Sequence, residues 1–234
     1  MIELKNITLS YGKDKKVLDE LELCIPSGQI IGLVGKNGVG KTSLLKTMMG
    51  FLVPEQGTIT VDGLPVKEQY DKLIFITEEG SCFSYMNALQ YGTFLKRFYE
   101  KFSEERYEKM LDFFQVDKKA KYKRLSKGQK AKVEIAAGFS KGGRYILMDE
   151  PFLGKDVFSR KDFLKMIATQ IEEESVLIAT HELSDVEKFL DRILILHDGK
   201  IAKDWMREEH PEWSLIDVFA EVTGYDSKRY KMLL

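Results

Sequence analysis

The sequence predicts an α/β fold, a buried parallel sheet covered by helices with a helical subdomain inserted into it. Three observations carry this. Ile30-Ile31-Gly32-Leu33-Val34 is apolar throughout, as a strand buried on both faces must be, and a glycine-rich loop and the helical run Thr42 to Met49 follow at once. Short apolar runs return at Tyr145 to Met148, Val176 to Ala179 and Arg192 to Leu196, with Phe163, Leu164, Ile167 and Ile171 at helical spacing between the first two. Strand-helix-strand alternation implies parallel strands with helices on their faces. Between residues 86 and 142 the period becomes helical: Tyr91, Leu95, Phe98 and Phe102 share one face, and Tyr107, Met110, Leu111 and Phe114 another.

In chain order, Ile2 to Ile7 alternates apolar with polar residues and reads as an edge strand leading to the buried one. The basic run Lys118 to Arg124 reads as a solvated loop. Beyond Lys203, Ser214 and Asp217 occupy capping-box-like positions ahead of a stripe of Leu215, Val218, Phe219 and Val222, which predicts a last amphipathic helix. The division expected is a core over 1–85 and 143–205, a helical subdomain over 86–142 and a C-terminal helical extension over 206–234. At 234 residues this is one domain with an insertion.

Composition narrows the function. Lys and Arg number 36 against 37 Asp and Glu, so no global basic field exists to hold a nucleic-acid backbone, and no nucleic-acid partner is expected. Apolar runs fall far short of the ~20 residues of a spanning helix. Met1 to Lys5 lacks a secretion-signal pattern, so a cytoplasmic protein is expected. Cys24 and Cys82 have neither zinc-site nor disulfide spacing and read as reduced thiols.

Gly35-Lys36-Asn37-Gly38-Val39-Gly40-Lys41-Thr42 fits the phosphate-loop pattern and lies between the buried strand and a helix, as its mechanism requires. Glycines let backbone N–H groups and the helix N-terminus face phosphate oxygens. Lys41 would bridge the β- and γ-phosphates of a nucleotide, and Thr42 would offer its hydroxyl to Mg²⁺. Tyr145 to Met148 runs into Asp149 and Glu150 at a strand end, where ligands of parallel sheets bind. Asp149 suits the magnesium, and Glu150 suits accepting a proton from an attacking water. The core is therefore expected to be a P-loop NTPase.

A third element is Leu125-Ser126-Lys127-Gly128-Gln129, with Ser126 and Gln129 in capping-box positions. It resembles the signature motif of ATP-binding cassette (ABC) proteins. Phosphate loop, inserted helices, signature, Asp149-Glu150 and then a lone histidine in Ala179-Thr180-His181 resemble, in order and spacing, the ATPase subunit of an ABC transporter over at least residues 1 to 203. The resemblance implies an ABC-type ATPase core with ATP and Mg²⁺ as cofactors. It implies phosphate contacts from Gly35, Asn37, Gly38, Gly40, Lys41, Thr42 and Ser43, adenine stacking by Tyr11, and a γ-phosphate contact from His181. Two subunits would pair head to tail around two ATP molecules, so that Ser126, Gly128, Gln129 and the D-loop residue Asp156 serve the nucleotide on the other copy.

Three departures from the family pattern stand out. Glu78, in Thr77-Glu78-Glu79, takes the place of the usual glutamine after Leu73 to Ile76, and a carboxylate can bind Mg²⁺ but donates no hydrogen bond. Lys127 replaces a signature glycine, and Phe152 and Lys155 alter the D-loop. The tail Ser214 to Gly224 is similar to that of bacterial ATPases serving drug, antibiotic or peptide exporters. The implied protein is an ATP-hydrolysing motor on the inner face of the cell membrane, paired with an identical or different ATPase subunit and driving export through a separate transmembrane permease. The alternative is an ABC-type ATPase acting on ribosomes or DNA without a permease. The chain shows one phosphate loop and no sustained heptads, as against the two cassettes or long coiled coils of such relatives.

Overall fold

The computed structural model describes residues 1–12, 15–77, 80–151, 167, 173–181 and 187–224. Strands β1 (Ile2–Tyr11), β2 (Lys15–Ile25), β3 (Ile30–Val34), β4 (Gln56–Val61), β5 (Leu64–Pro65), β6 (Leu73–Ile76), β7 (Tyr145–Asp149), β8 (Ser175–Thr180), β9 (Arg192–His197) and β10 (Lys200–Met206) form two sheets. The first is antiparallel, in the order β2-β1-β4-β5, and the second runs β10-β9-β3-β8-β7-β6. In the second, β9, β3, β8, β7 and β6 are mutually parallel and β10 closes the edge antiparallel to β9. The α/β class and the buried parallel strand are as the apolar runs imply.

Side chains alternate across the parallel sheet and separate two cores. Ile30, Val34, Ile146, Met148, Val176, Ile178, Ile193 and Ile195 face one core, which they share with the helices of the middle and end of the chain. Ile31, Leu33, Leu147, Leu177, Ala179, Leu194 and Leu196 face the other, shared with the antiparallel sheet and α1 (Lys41–Met48). Leu44, Leu45 and Met48 of α1 are fully buried there. At about 1.5–3 kcal/mol each, that burial outweighs the lack of a side-chain cap on a helix this short.

The first core is completed by α2 (Ala88–Lys96), α3 (Glu104–Phe113), α4 (Lys127–Ser140) and α5 (Leu215–Thr223). Asn87 and Gln90 form a reciprocal capping box on α2, and Ser103 caps α3.

Four expectations are corrected. β1 is no edge strand: it lies between β2 and β4, which arrive from later sequence. α2 stops at Lys96 although the aromatic spacing continues; the chain turns at Arg97, leaving Phe98 69% exposed while Phe102 returns to the core. The run Lys118 to Arg124 is anchored rather than simply solvated, since Tyr122 is buried, Lys121 bridges to Asn87 and Lys118 pairs with Asp112 at 2.6 Å. Ser214 stands at the N-cap of α5 but its side chain caps nothing; Glu187 Oε1 instead accepts from Leu215 N–H at 3.2 Å. In the segment expected to be helical before β8, Ile167 is helical and fully buried, while Phe163, Leu164 and Ile171 lie outside the described residues.

Candidate functional site

The site forms at the C-terminal ends of β3, β7 and β8, three adjacent parallel strands. From β3 the chain enters the loop 35–40 and then α1. Gly40 occupies the N-cap with φ +113°, and a Cβ there would meet the Val17 side chain at 2.7 Å, so only glycine suits both the backbone and the space. Lys41 follows, 6% exposed, its ammonium donating to the Gly35 carbonyl at 2.8 Å and the Lys36 carbonyl at 3.4 Å. Its side chain thus folds back onto the carbonyls at the base of its own loop. Burial lowers its pKa, and the nearby Glu150 and Asp149 oppose that shift.

β7 delivers the acids. Asp149 ends the strand, and Glu150 follows with φ +47°, a left-handed conformation that costs a non-glycine residue roughly 1–2 kcal/mol. Its N–H donates to the Ala179 carbonyl at 2.9 Å, which helps hold that turn. Glu150 Oε1 lies 3.7 Å from the Lys41 ammonium and 2.9 Å from His181 Nδ1. His181 comes from the end of β8, so three strand ends supply Lys41, Glu150 and His181 to one point. Asp149 has its pKa raised, chiefly by burial, while Thr42 beside it pulls the other way. Its Oδ1 is buried with no hydrogen-bond partner among the described residues. An orphaned carboxylate oxygen next to an exposed hydroxyl suits a hard cation that completes its shell with phosphate and water oxygens. Among the described residues no cluster of three or more His, Cys, Asp and Glu that could hold a metal ion is present.

Of the other sequence candidates, Tyr11 is half exposed and its hydroxyl lies 3.3 Å from that of Ser43 in the first turn of α1. Tyr11 is therefore a surface ring beside the loop. Asn37 and Gly38 are exposed at the loop's crest, and Gly35 is buried at its base. Ser126 caps α4 by accepting from Gln129 N–H at 3.2 Å, but the reciprocal half of the box is missing because Gln129 Oε1 is buried without a partner. Among the described residues, no hydrogen bond joins Ser126, Gly128 or Gln129 to residues 35–43, although neighbouring Lys127 borders a small cavity with Glu150, Thr77 and Pro151. Glu78 and Asp156 lie outside the described residues.

Sequence reasoning missed two attachments. Lys36, in the loop itself, donates to the Thr223 carbonyl at the end of α5 at 3.1 Å. Glu187 accepts from Arg207 and from the N-terminus of α5, fastening the tail to the segment beyond His181. No local pattern signals either, because their partners lie 20 residues or more away in sequence.

Strand, glycine loop, buried lysine and paired acids at adjacent strand ends define a nucleoside-triphosphate-binding domain of the phosphate-loop class. The family model for ABC transporters matches residues 18–153, and the chain belongs to that family. It is 32% identical over 214 residues to the manganese transport system ATP-binding protein MntB of Bacillus subtilis, covering 86% of this chain and 85% of that one. It is 27% identical to the SkfA peptide export ATP-binding protein SkfE of the same organism, over 91% of this chain and 93% of that one. A solved ATP-binding subunit of an ABC transporter superposes with a TM-score of 0.83 at 24% identity, covering 95% of this chain and 99% of the other, which speaks for the fold. The protein is an ATP-hydrolysing subunit of an ABC transporter. Among the described residues no helix is long and apolar enough to cross a membrane.

Proposed function

We infer that this chain is a motor subunit that binds ATP, pairs with a second ATPase subunit around two nucleotides, and drives export through a separate permease on the inner face of the cell membrane. The observation that carries the pairing is the split site. Lys41, Asp149, Glu150 and His181 converge, whereas among the described residues Ser126 and Gly128 make no hydrogen bond to the loop of their own chain, which suits them to the other subunit's nucleotide.

On ATP binding the Lys41 ammonium exchanges the Gly35 carbonyl and Glu150 carboxylate for phosphate oxygens. His181 holds Glu150 Oε1 through Nδ1, which leaves Oε2 to take the proton of the attacking water, a contribution of about 10²–10⁴-fold. Tyr11 stacks on the base through its face, so selectivity among bases is loose. Thr42 and Asp149 would hold Mg²⁺, with Glu78 a further carboxylate for it in the sequence, and the ion supplies charge neutralisation on the phosphates when bound. Asp156, on its place in the D-loop motif, is the residue proposed to serve the partner subunit's nucleotide.

Support for a permease comes from a groove of roughly 840 Å³ beside β6 and α2, whose lining includes Phe51, Tyr70, Phe75, Phe94 and Phe98. Export rests on likeness to the peptide-export subunit over 91% of this chain and 93% of that one. The pairing is tested by size-exclusion chromatography of Glu150→Gln with and without ATP: a dimer only with ATP supports it, and a nucleotide-insensitive species overturns it. Retention of the purified protein by membranes containing its permease, and outward movement of substrate in that system, tests the rest.

A further inference from the structure

Glu134, 7% exposed in α4, is a buried carboxylate on which four polar groups from three other parts of the chain converge. Oε1 accepts from the Cys82 backbone N–H at 2.9 Å and the Tyr122 hydroxyl at 3.0 Å, and Oε2 lies 2.9 Å from the Ser81 hydroxyl and 3.3 Å from the Tyr91 hydroxyl. Those two hydroxyls are 2.5 Å apart, so one of their two protons bonds Oε2 and the other bonds its neighbouring hydroxyl. The site chemistry described above uses none of these residues. A carboxyl group's two oxygens have lone pairs enough for every donor that converges here, which offsets the cost of its burial.

The connections it makes are not interchangeable. Ser81 and Cys82 belong to the segment that follows β6, the segment in which the sequence places Glu78. Gly80 brings that segment in: its φ is +72°, and a Cβ there would fall 2.5 Å from the Tyr122 hydroxyl and 2.9 Å from Glu134 Oε1. Tyr122 immediately precedes the stretch leading to Ser126. Glu134 itself lies eight residues beyond Ser126 on one helix, ~12 Å along its axis. It also borders the small cavity that Thr77, Lys127 and Glu150 share.

We propose that Glu134 is a positioning residue that locks the segment after β6 to the helix opening at Ser126, so that nucleotide occupancy sensed at the first sets the presentation of Ser126 and Gly128 to the other subunit. This rests on the paired-subunit reading above. Glu134 touches no reacting atom; it acts through the two elements it ties together. Cys82 takes part through its backbone, since burial first and the Glu134 charge second push its thiol up to about 12 and keep it unreactive at neutral pH.

The test compares Glu134→Ala with Glu134→Gln. Glutamine keeps one oxygen for the Cys82 N–H and Tyr122, and its amide can donate to Ser81 and Tyr91, whose hydroxyls accept as readily as they donate. The alanine variant is expected to lose about tenfold in kcat, in the usual range of coupling between sites, with KM for ATP and binding of a fluorescent ATP analogue unchanged, while the glutamine variant stays within about threefold of wild type. On the Glu150→Gln background, Glu134→Ala should weaken ATP-dependent dimerisation by a similar factor. A kcat equal to wild type in Glu134→Ala, equal damage from both substitutions, or parallel loss of analogue binding would each overturn the proposal. Should Glu150→Gln alone fail to dimerise with ATP, the paired-subunit reading falls, and the kcat and KM of the Glu134 variants still decide whether Glu134 positions the site.

Discussion

Glu150 Oε1 is shared between His181 Nδ1, at 2.9 Å, and the Lys41 ammonium, at 3.7 Å, so one carboxylate oxygen ties together side chains from two other strand ends. Glu150 and Lys41 fail differently when removed. Glu150→Gln should bind ATP with near wild-type affinity and hydrolyse it at least about a hundredfold more slowly. Lys41→Ala should lose nucleotide affinity. Steady-state hydrolysis and equilibrium binding separate the two, and wild-type turnover in Glu150→Gln would remove it as the base.

Asp149 is expected to limit stability while serving the site. Burial raises its pKa above the ordinary carboxylate value of 3.8, so the folded chain holds that proton more tightly than the unfolded one. Ionisation therefore works against folding: the penalty is absent below the unfolded value and complete above the raised one. Asp149→Asn should raise the melting midpoint of the nucleotide-free protein at neutral pH, with the gain shrinking in acid, and should lose magnesium-dependent hydrolysis. Thermal melts across pH check this, and a midpoint lowered at neutral pH would contradict it.

Asp62 has the opposite sign. Burial pushes its carboxyl up, but hydrogen bonds from Lys72 at 2.7 Å, the Met1 amino group and the Tyr145 hydroxyl together hold it well below the usual carboxylate range. Its contribution is complete above the unfolded value of 3.8 and is lost as pH falls through the lowered folded value. Asp62→Asn should cost about 1 kcal/mol at neutral pH, discounted for partial exposure, and the two proteins should converge in strong acid. Urea melts at neutral and acid pH measure the difference.

Glu78 carries a prediction from its chemistry. If Glu78 takes the role that the family's glutamine position implies, its carboxylate would add charge near a triphosphate and offer Mg²⁺ a harder ligand than an amide. Glu78→Gln should make hydrolysis less steeply dependent on magnesium while leaving the isolated subunit active. Superimposable magnesium titrations would put Glu78 beyond the metal's reach.

The strand, glycine loop, helix and paired acids were legible because each is written in a short contiguous run with its own period or glycine pattern. What depended on distant partners was not. The place of β1 within its sheet is decided by β4, residues 56–61, which pairs along it. The end of α2 lay hidden under an aromatic spacing that continues past it, and the cap of α5 comes from Glu187 rather than from adjacent Ser214. Glu134 did leave a trace: it is the one acid in the otherwise apolar stretch Val133 to Phe139, where a buried charge must find several donors.

β3, the strand that aims the phosphate loop, pairs on one side with β8 and on the other with β9. Both neighbours lie more than 140 residues downstream. During synthesis the loop and α1 therefore emerge long before either edge of their supporting strand can be covered, and the apolar β3 stays an open template for mispairing until residues 175–197 are made. Nucleotide can rescue only a chain extended beyond residue 197, because the strands that steady its loop are made long after the loop itself. Products truncated before β8 are thus marked for aggregation or removal, and half-made subunits cannot linger as inert competitors for ATP.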